Sequence, residues 1–241
     1  MTYCVGLLLR DGMVLLSDTR TNAGLDNIAT YRKMFVFEDT GERVITILTA
    51  GSLSVTQTTI ARLRDAMDDP ESTPETSIMK APTLLKVAEL VGNTLARVRS
   101  DIDEKLSAMG QGASASMIVA GQRRGGAMRM FLIYPEGNFI EATEDTPFLQ
   151  IGEHKYGKPI LDRVVKAHTS LADAQKAVLL SMDSTLRSNL SVGMPLDLAV
   201  IERDACRVTL RRRIEAGDES FRAMSDAWSN ALREGFTRIT V

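Results

Sequence analysis

The chain has 241 residues, 44% of them hydrophobic and 25% charged, with 29 basic against 31 acidic side chains. That balance is ordinary for a globular protein, so disorder is excluded as the dominant state. A net charge of −2 leaves no bulk electrostatic footprint for nucleic acid.

No stretch approaches the roughly 18 apolar residues that a membrane span needs. No composition shift or linker divides the chain, so a single domain over residues 1–241 is expected. Met1-Thr2-Tyr3-Cys4 carries no charged leader, which makes a cytoplasmic location the expectation. Cys4 and Cys206 stand in apolar, strand-like surroundings with no metal or redox spacing and read as small hydrophobes.

In chain order, Val5–Leu9 and Met13–Leu16 are short apolar runs joined by Arg10-Asp11-Gly12, a hairpin signature. Met34–Phe37 and Val44–Leu48 follow, with Gly41 in the turn between them. Runs that are apolar at successive positions belong to strands covered on both faces. These four runs read as one sheet, covered by the helices that come next. Thr56, Ile60, Leu63 and Met67 recur at helical spacing from Ser52 onward, and Pro70 and Pro74 mark the loop behind them. A second helix is expected from about Pro82, carrying Leu84, Val87, Val91, Leu95, Val98 and Ile102.

Gly110-Gln111-Gly112 breaks that pattern. Strands are then expected at Ser116–Ala120, Met128–Ile133, Phe139–Ala142 and Phe148–Gly152. Helices follow at about Lys158–Ala167 and Leu171–Leu190, then a hairpin of Leu196–Glu202 with Arg207–Arg213, and a closing helix over Ser220–Arg233. The basic run Arg211-Arg212-Arg213 reads as an exposed strand end. Strands, two helices, more strands and two helices together predict an α+β fold, a four-layer αββα sandwich of two antiparallel sheets between helical layers.

Few chemistries fit these residues. His154 and His168 are the two histidines, and neither neighbours a Ser, Cys or Glu in a catalytic or metal spacing. Gly121-Gln122-Arg123-Arg124-Gly125 opens a hairpin and not a helix, so it is no phosphate loop. No cofactor and no metal are expected. A threonine at a chain terminus needs no histidine, because its own α-amine, with a pKa of about 7.7–8.0, can take the hydroxyl proton. Thr2 becomes such a residue if Met1 is removed.

Around it the sequence supplies what that chemistry requires. Asp18, in Ser17-Asp18-Thr19-Arg20-Thr21-Asn22-Ala23-Gly24, ends the second strand beside the start of its partner. Lys33 enters the next long strand in Tyr31-Arg32-Lys33-Met34. An ammonium held near a threonine hydroxyl lowers its pKa, and a carboxylate keeps that ammonium charged and aimed. Thr49-Ala50-Gly51-Ser52 joins a strand to a helix, where a backbone N–H backed by a helix end can hold an oxyanion.

These pieces resemble proteasome β-type subunits, and more closely the bacterial ancestral-beta-subunit group called Anbu. The opening Thr-Tyr-Cys-Val-Gly, the block from Ser17 through Ala29 and the Thr-Ala-Gly helix entry carry the likeness. The resemblance implies an N-terminal-nucleophile hydrolase with Thr2 as nucleophile, Asp18 and Lys33 as its charge partners, Gly51 as oxyanion donor and Ser191 near the amine. It implies Thr21, Asn22, Thr49 and Leu53 as substrate-binding residues. It also implies self-assembly into a homo-oligomeric ring or spiral acting on peptides or unfolded protein, and the 12 methionines suit adaptable interfaces. The sequence carries no sign of an ATPase partner.

The second half departs from the proteasome pattern. Glu153 follows Ile151-Gly152 where a serine is usual, and the usual Asp-x-x-Ser reads Ser188-Asn189-Leu190-Ser191. Three functions therefore stand side by side: a threonine peptidase, a non-catalytic subunit of a ring or spiral, and an amidase for a small or isopeptide substrate.

Overall fold

The computed structural model describes residues 1–22, 28–107 and 113–240. Its strands are β1 (Tyr3–Leu9), β2 (Gly12–Ser17), β3 (Arg20–Asn22), β4 (Ile28–Thr30), β5 (Met34–Asp39), β6 (Arg43–Gly51), β7 (Ala115–Arg123), β8 (Arg129–Ile133), β9 (Phe139–Glu141), β10 (Phe148–Gly152), β11 (Leu196–Glu202) and β12 (Leu210–Ile214). Its helices are α1 (Leu53–Asp68), α2 (Leu84–Ser107), α3 (Lys158–Val164), α4 (Leu171–Ser188) and α5 (Glu219–Arg238).

Two antiparallel five-stranded sheets, ordered β10-β1-β2-β11-β12 and β5-β6-β7-β8-β9, lie between helical layers. Successive strand residues point to opposite faces, so each covered strand feeds two cores. In β1, Tyr3, Val5, Leu7 and Leu9 pack with residues of α3 and α4, while Cys4 turns into the space between the sheets. In β6, Ile45 and Ile47 pack with α1 and α2, while Val44, Leu48 and Ala50 meet Met13 and Leu15 from the other sheet. The long α2 buries Leu84, Val87, Val91, Leu95 and Val98, the stripe its spacing predicts. The four-layer α+β sandwich read from the sequence is the fold.

Several details differ from the sequence reading. The first four apolar runs do not form one sheet: β1 and β2 belong to one, β5 and β6 to the other. Accordingly α1 and α2 cover only the second sheet, and α4 packs on β1 and β2. Apolar runs report that a strand is covered, not by which layer. The three-residue β3 and β4, which pair as a separate two-stranded sheet on the way between the two large ones, are too short to show a strand period in the sequence. Helix α3 stops at Val164, where Val165 turns extended, and α5 runs on through Gly235 to Arg238. The last strand begins at Leu210, not Arg207. The break at Gly110-Gln111-Gly112 lies outside the described residues.

One pairing fixes the chain terminus. Strand β10 aligns Gly152 with Tyr3, and the Glu153 N–H donates to the Thr2 carbonyl at 2.7 Å. Gly152 has φ +81°, and a Cβ there would overlap that same carbonyl oxygen. Gly152→Ala should therefore cost about 1–3 kcal/mol through backbone strain and displacement of β10, read as a lowered thermal unfolding midpoint. An unchanged midpoint would show that the terminus is not gripped in this way.

Candidate active site

Hairpin register brings the site together. With Cys4 opposite Ser17, Asp18 falls just past the end of β2, level with Tyr3. Its carboxylate is fully buried and fully engaged: Oδ1 accepts the Tyr3 N–H at 3.1 Å and the Lys33 ammonium at 2.8 Å, and Oδ2 accepts the Gly193 N–H at 3.2 Å. Lys33 arrives from the other sheet, one residue before β5, and its side chain is only 5% exposed. Burial pushes the Asp18 carboxyl above its ordinary value; the Lys33 charge and the hydrogen bonds from Lys33, Tyr3 and Gly193 oppose that.

An ammonium has three N–H donors. Besides Asp18, those of Lys33 reach the Arg20 carbonyl at 2.5 Å and the Met1 carbonyl at 3.3 Å. The third acceptor is the peptide oxygen on the N-terminal side of Thr2. Among the described residues no hydrogen bond joins Lys33 to the Thr2 hydroxyl while Met1 is attached. Thr2 is itself buried, whereas Met1 is 62% exposed.

A pocket of about 280 Å³ opens beside Thr2, lined by Met1, Thr2, Thr21, Lys33, Thr49, Ala50, Gly51, Ser52, Leu53 and Thr56. Gly51 sits at its mouth with φ +105°, and a Cβ there would overlap the Ser114 carbonyl of the neighbouring chain segment. Ladder N–H groups point alternately to the two sides of a strand. The Thr49 N–H bonds to the Lys33 carbonyl on the β5 side, so that of Gly51, two residues on, points to the same side. There β5 begins only at Met34, which leaves the Gly51 N–H aimed past the strand end. Helix α1 starts at Leu53 with no side-chain cap on its first turn, so its positive end opens on the pocket. The corner can thus hold an ionised pair, a backbone donor and a hydroxyl around a bound carbonyl.

Of the residues singled out from the sequence, Thr2, Thr21, Lys33, Thr49, Gly51 and Leu53 meet at this pocket, and Asp18 lies behind it. Asn22 closes β3, and only its backbone is described. Ser191 is not on the pocket wall; its N–H donates to Asn189 Oδ1 at 2.9 Å within the loop after α4. Glu153 serves through its backbone N–H on Thr2, and Ser188 is an exposed helix end. The sequence reading missed Arg20, whose carbonyl no residue-type argument could have found. It also missed Gly193, whose N–H reaches Asp18 across 175 positions. Cys4 lies alongside, its thiol donating to the Thr49 carbonyl at 3.6 Å and pushed well above its usual pKa by burial.

Residues 2–201 match the family described as proteasome subunit. The chain belongs to the proteasome subunit family. Its solved relatives include the Anbu (Gly-1) mutant from Hyphomicrobium sp. strain MC1, 48% identical with TM-score 0.93 over 100% of this chain and 99% of that one. Anbu (ancestral beta-subunit) from Yersinia bercovieri is 40% identical with TM-score 0.92, over 99% and 98%. The helical assembly of the Anbu complex from Pseudomonas aeruginosa is 42% identical with TM-score 0.92, over 99% and 97%. Within the family, these Anbu proteins are what the chain resembles. No curated protein matches it significantly.

The buried pair yields a prediction about pH. Lys33→Met removes the charge that opposes the burial of Asp18, leaving its folded-state pKa further above the unfolded value. A carboxyl with a raised folded pKa binds more protons folded than unfolded, so stability is lost as pH rises through and above the ordinary carboxylate range. Relative to the unmodified chain, the variant's unfolding midpoint should fall further near neutral pH than near about pH 4. Equal losses at both values would mean that Asp18 is not ionised beside Lys33.

Proposed function

We propose that the chain is a proteasome-type threonine peptidase that becomes competent when Met1 is removed. The observation that carries this reading is the third donor of Lys33, held by the Met1 carbonyl. Loss of Met1 frees that N–H next to a residue that then bears both a hydroxyl and an amine. Membership of the proteasome subunit family supports the same class of chemistry.

In this reading the Thr2 amine takes the proton of its own hydroxyl, directly or through a water, and Lys33 lowers the hydroxyl's pKa. Thr2 Oγ1 attacks the peptide carbonyl, whose oxygen gains negative charge facing the Gly51 N–H. The amine returns its proton to the departing amine, leaving an ester on Thr2. Water then cleaves the ester by the same route. A pocket lined by Thr21, Thr49 and Leu53 suits an uncharged side chain next to the cut bond. Peptides or unfolded protein are the substrates that go with this reading, in the cytoplasm.

Self-assembly accompanies it. The Pseudomonas aeruginosa relative is described as a helical assembly. On this chain Leu232 and Phe236, four residues apart near the end of α5, are 53% and 79% exposed, and Ile239 just past the helix is 72% exposed, apolar surface that suits burial against another copy. A second reading, a non-catalytic subunit of the same assembly, draws on the Thr2 hydroxyl, which makes no hydrogen bond among the described residues, and on Ser191 standing off the pocket.

Intact mass separates the readings first. The peptidase requires a chain that has lost Met1 in cells and gains one adduct from a hydroxyl-directed electrophile. Thr2→Ala should remove the adduct and reduce peptide cleavage by about a thousandfold or more. Retained Met1, or labelling that persists in Thr2→Ala, would leave the non-catalytic reading. For assembly, Phe236→Glu should lower the light-scattering mass; an unchanged mass would take α5 out of the contact.

A further inference from the structure

The loop between α4 and β11 replaces the usual Asp-x-x-Ser with residues that offer no carboxylate, yet it delivers one group to the ion pair, the Gly193 N–H on Asp18 Oδ2. Four further contacts bind this loop to the end of β2 and the start of β3. The Thr19 N–H donates to the Gly193 carbonyl at 3.4 Å, and the Thr19 hydroxyl to the Pro195 carbonyl at 2.6 Å. The Arg20 Nη1 donates to the Leu190 carbonyl at 2.8 Å. The Arg20 guanidinium also lies against Gly193 so closely that a Cβ there would overlap Nε and Cζ.

Gly193 does not have the positive φ that demands glycine. Its backbone would accept an L side chain, and what stands in the way of one is the guanidinium, which a Cβ would push aside. Arg20 therefore occupies the room that Gly193 leaves, shielding the Gly193 peptide from water on that side. A hydrogen bond to a carboxylate is stronger where water is kept away. The same residue, through its own carbonyl, accepts from Lys33 at 2.5 Å. Arg20 thus touches both halves of the pair: Lys33 directly, and Asp18 through the Gly193 N–H.

We propose that Arg20 is a positioning residue, whose guanidinium seats the Gly193 N–H on Asp18 and so holds the Asp18–Lys33 pair in register with Thr2. Its part in turnover rests on the peptidase reading above, while the clip itself does not. The arginine and the glycine are one device, since the missing Cβ has a purpose only while the guanidinium is present.

The experiment is a cycle of Arg20→Ala, Gly193→Ala and the double variant in the full assembled chain. Deuterium exchange of the peptide containing residues 189–195 is measured in each, beside kcat and KM for a peptide substrate. Each single change should speed exchange in that peptide and lower kcat about tenfold with KM little changed, as weakening one hydrogen bond to a charged group implies. The double variant should be no worse than the poorer single, because the three atoms nearest to a methyl group added at Gly193 all belong to the guanidinium that Arg20→Ala removes. Arg20→Lys, which can donate to Leu190 but cannot cover Gly193, should recover only part of kcat.

Exchange that stays slow in Arg20→Ala, losses that add in the double variant, or a fall confined to KM would each overturn the proposal. If the unmodified chain cleaves nothing, the peptidase reading fails and the role in turnover falls with it. The exchange cycle still decides whether Arg20 and Gly193 act as one clip.

Discussion

At the centre of this protein a carboxylate and an ammonium meet at 2.8 Å with almost no water around them. Removing two charges from water costs several kcal/mol per ion, and such a pair is tolerable only when geometry and further hydrogen bonds satisfy both partners. Here they do: Asp18 has two backbone N–H donors, and Lys33 has two backbone carbonyls. Those partners come from β1, from the loop before β11, from the start of β3 and from the terminus itself. The two charges therefore tie both sheets and the α4–β11 loop to one point, to which the registers of β1 with β2 and β5 with β6 deliver them.

This explains what could be read in advance. Both-faces-buried strands and the regular stripe of α2 gave the sandwich, because burial in layers imprints a period on the residues. Asp18, Lys33 and Gly51 stood at strand ends, and register alone brings those ends to one corner. The division of the first four strands between two sheets was not legible, because Leu15 and Leu48 look alike whichever layer covers them. Contributions from backbone atoms were equally silent. The Arg20 carbonyl, the Glu153 N–H and the Gly193 N–H depend on where the chain runs, and no side chain announces them. Ser191 stands off the pocket for the same reason: the loop reaches the site through the peptide two residues later.

The division of labour between the sheets also follows. One carries Thr2 and Asp18, the other Lys33 and Gly51, so the pocket forms at a seam. Glycine is needed where the seam is tightest. Gly51 lets β6 leave its neighbour and turn into α1, and Gly152 lets β10 close on the Thr2 carbonyl. Neither position tolerates a methyl group without moving a strand.

Cys4 adds a chemical consequence. Thiolates, not thiols, react with electrophiles, and burial beneath Thr49 keeps this sulfur protonated, while Cys206 is also buried with its thiol pushed up. The chain has no third cysteine to compete. A soft, sulfur-seeking reagent should pass over the folded protein, so that a covalent label accepted under mild conditions points to nitrogen or oxygen and away from sulfur.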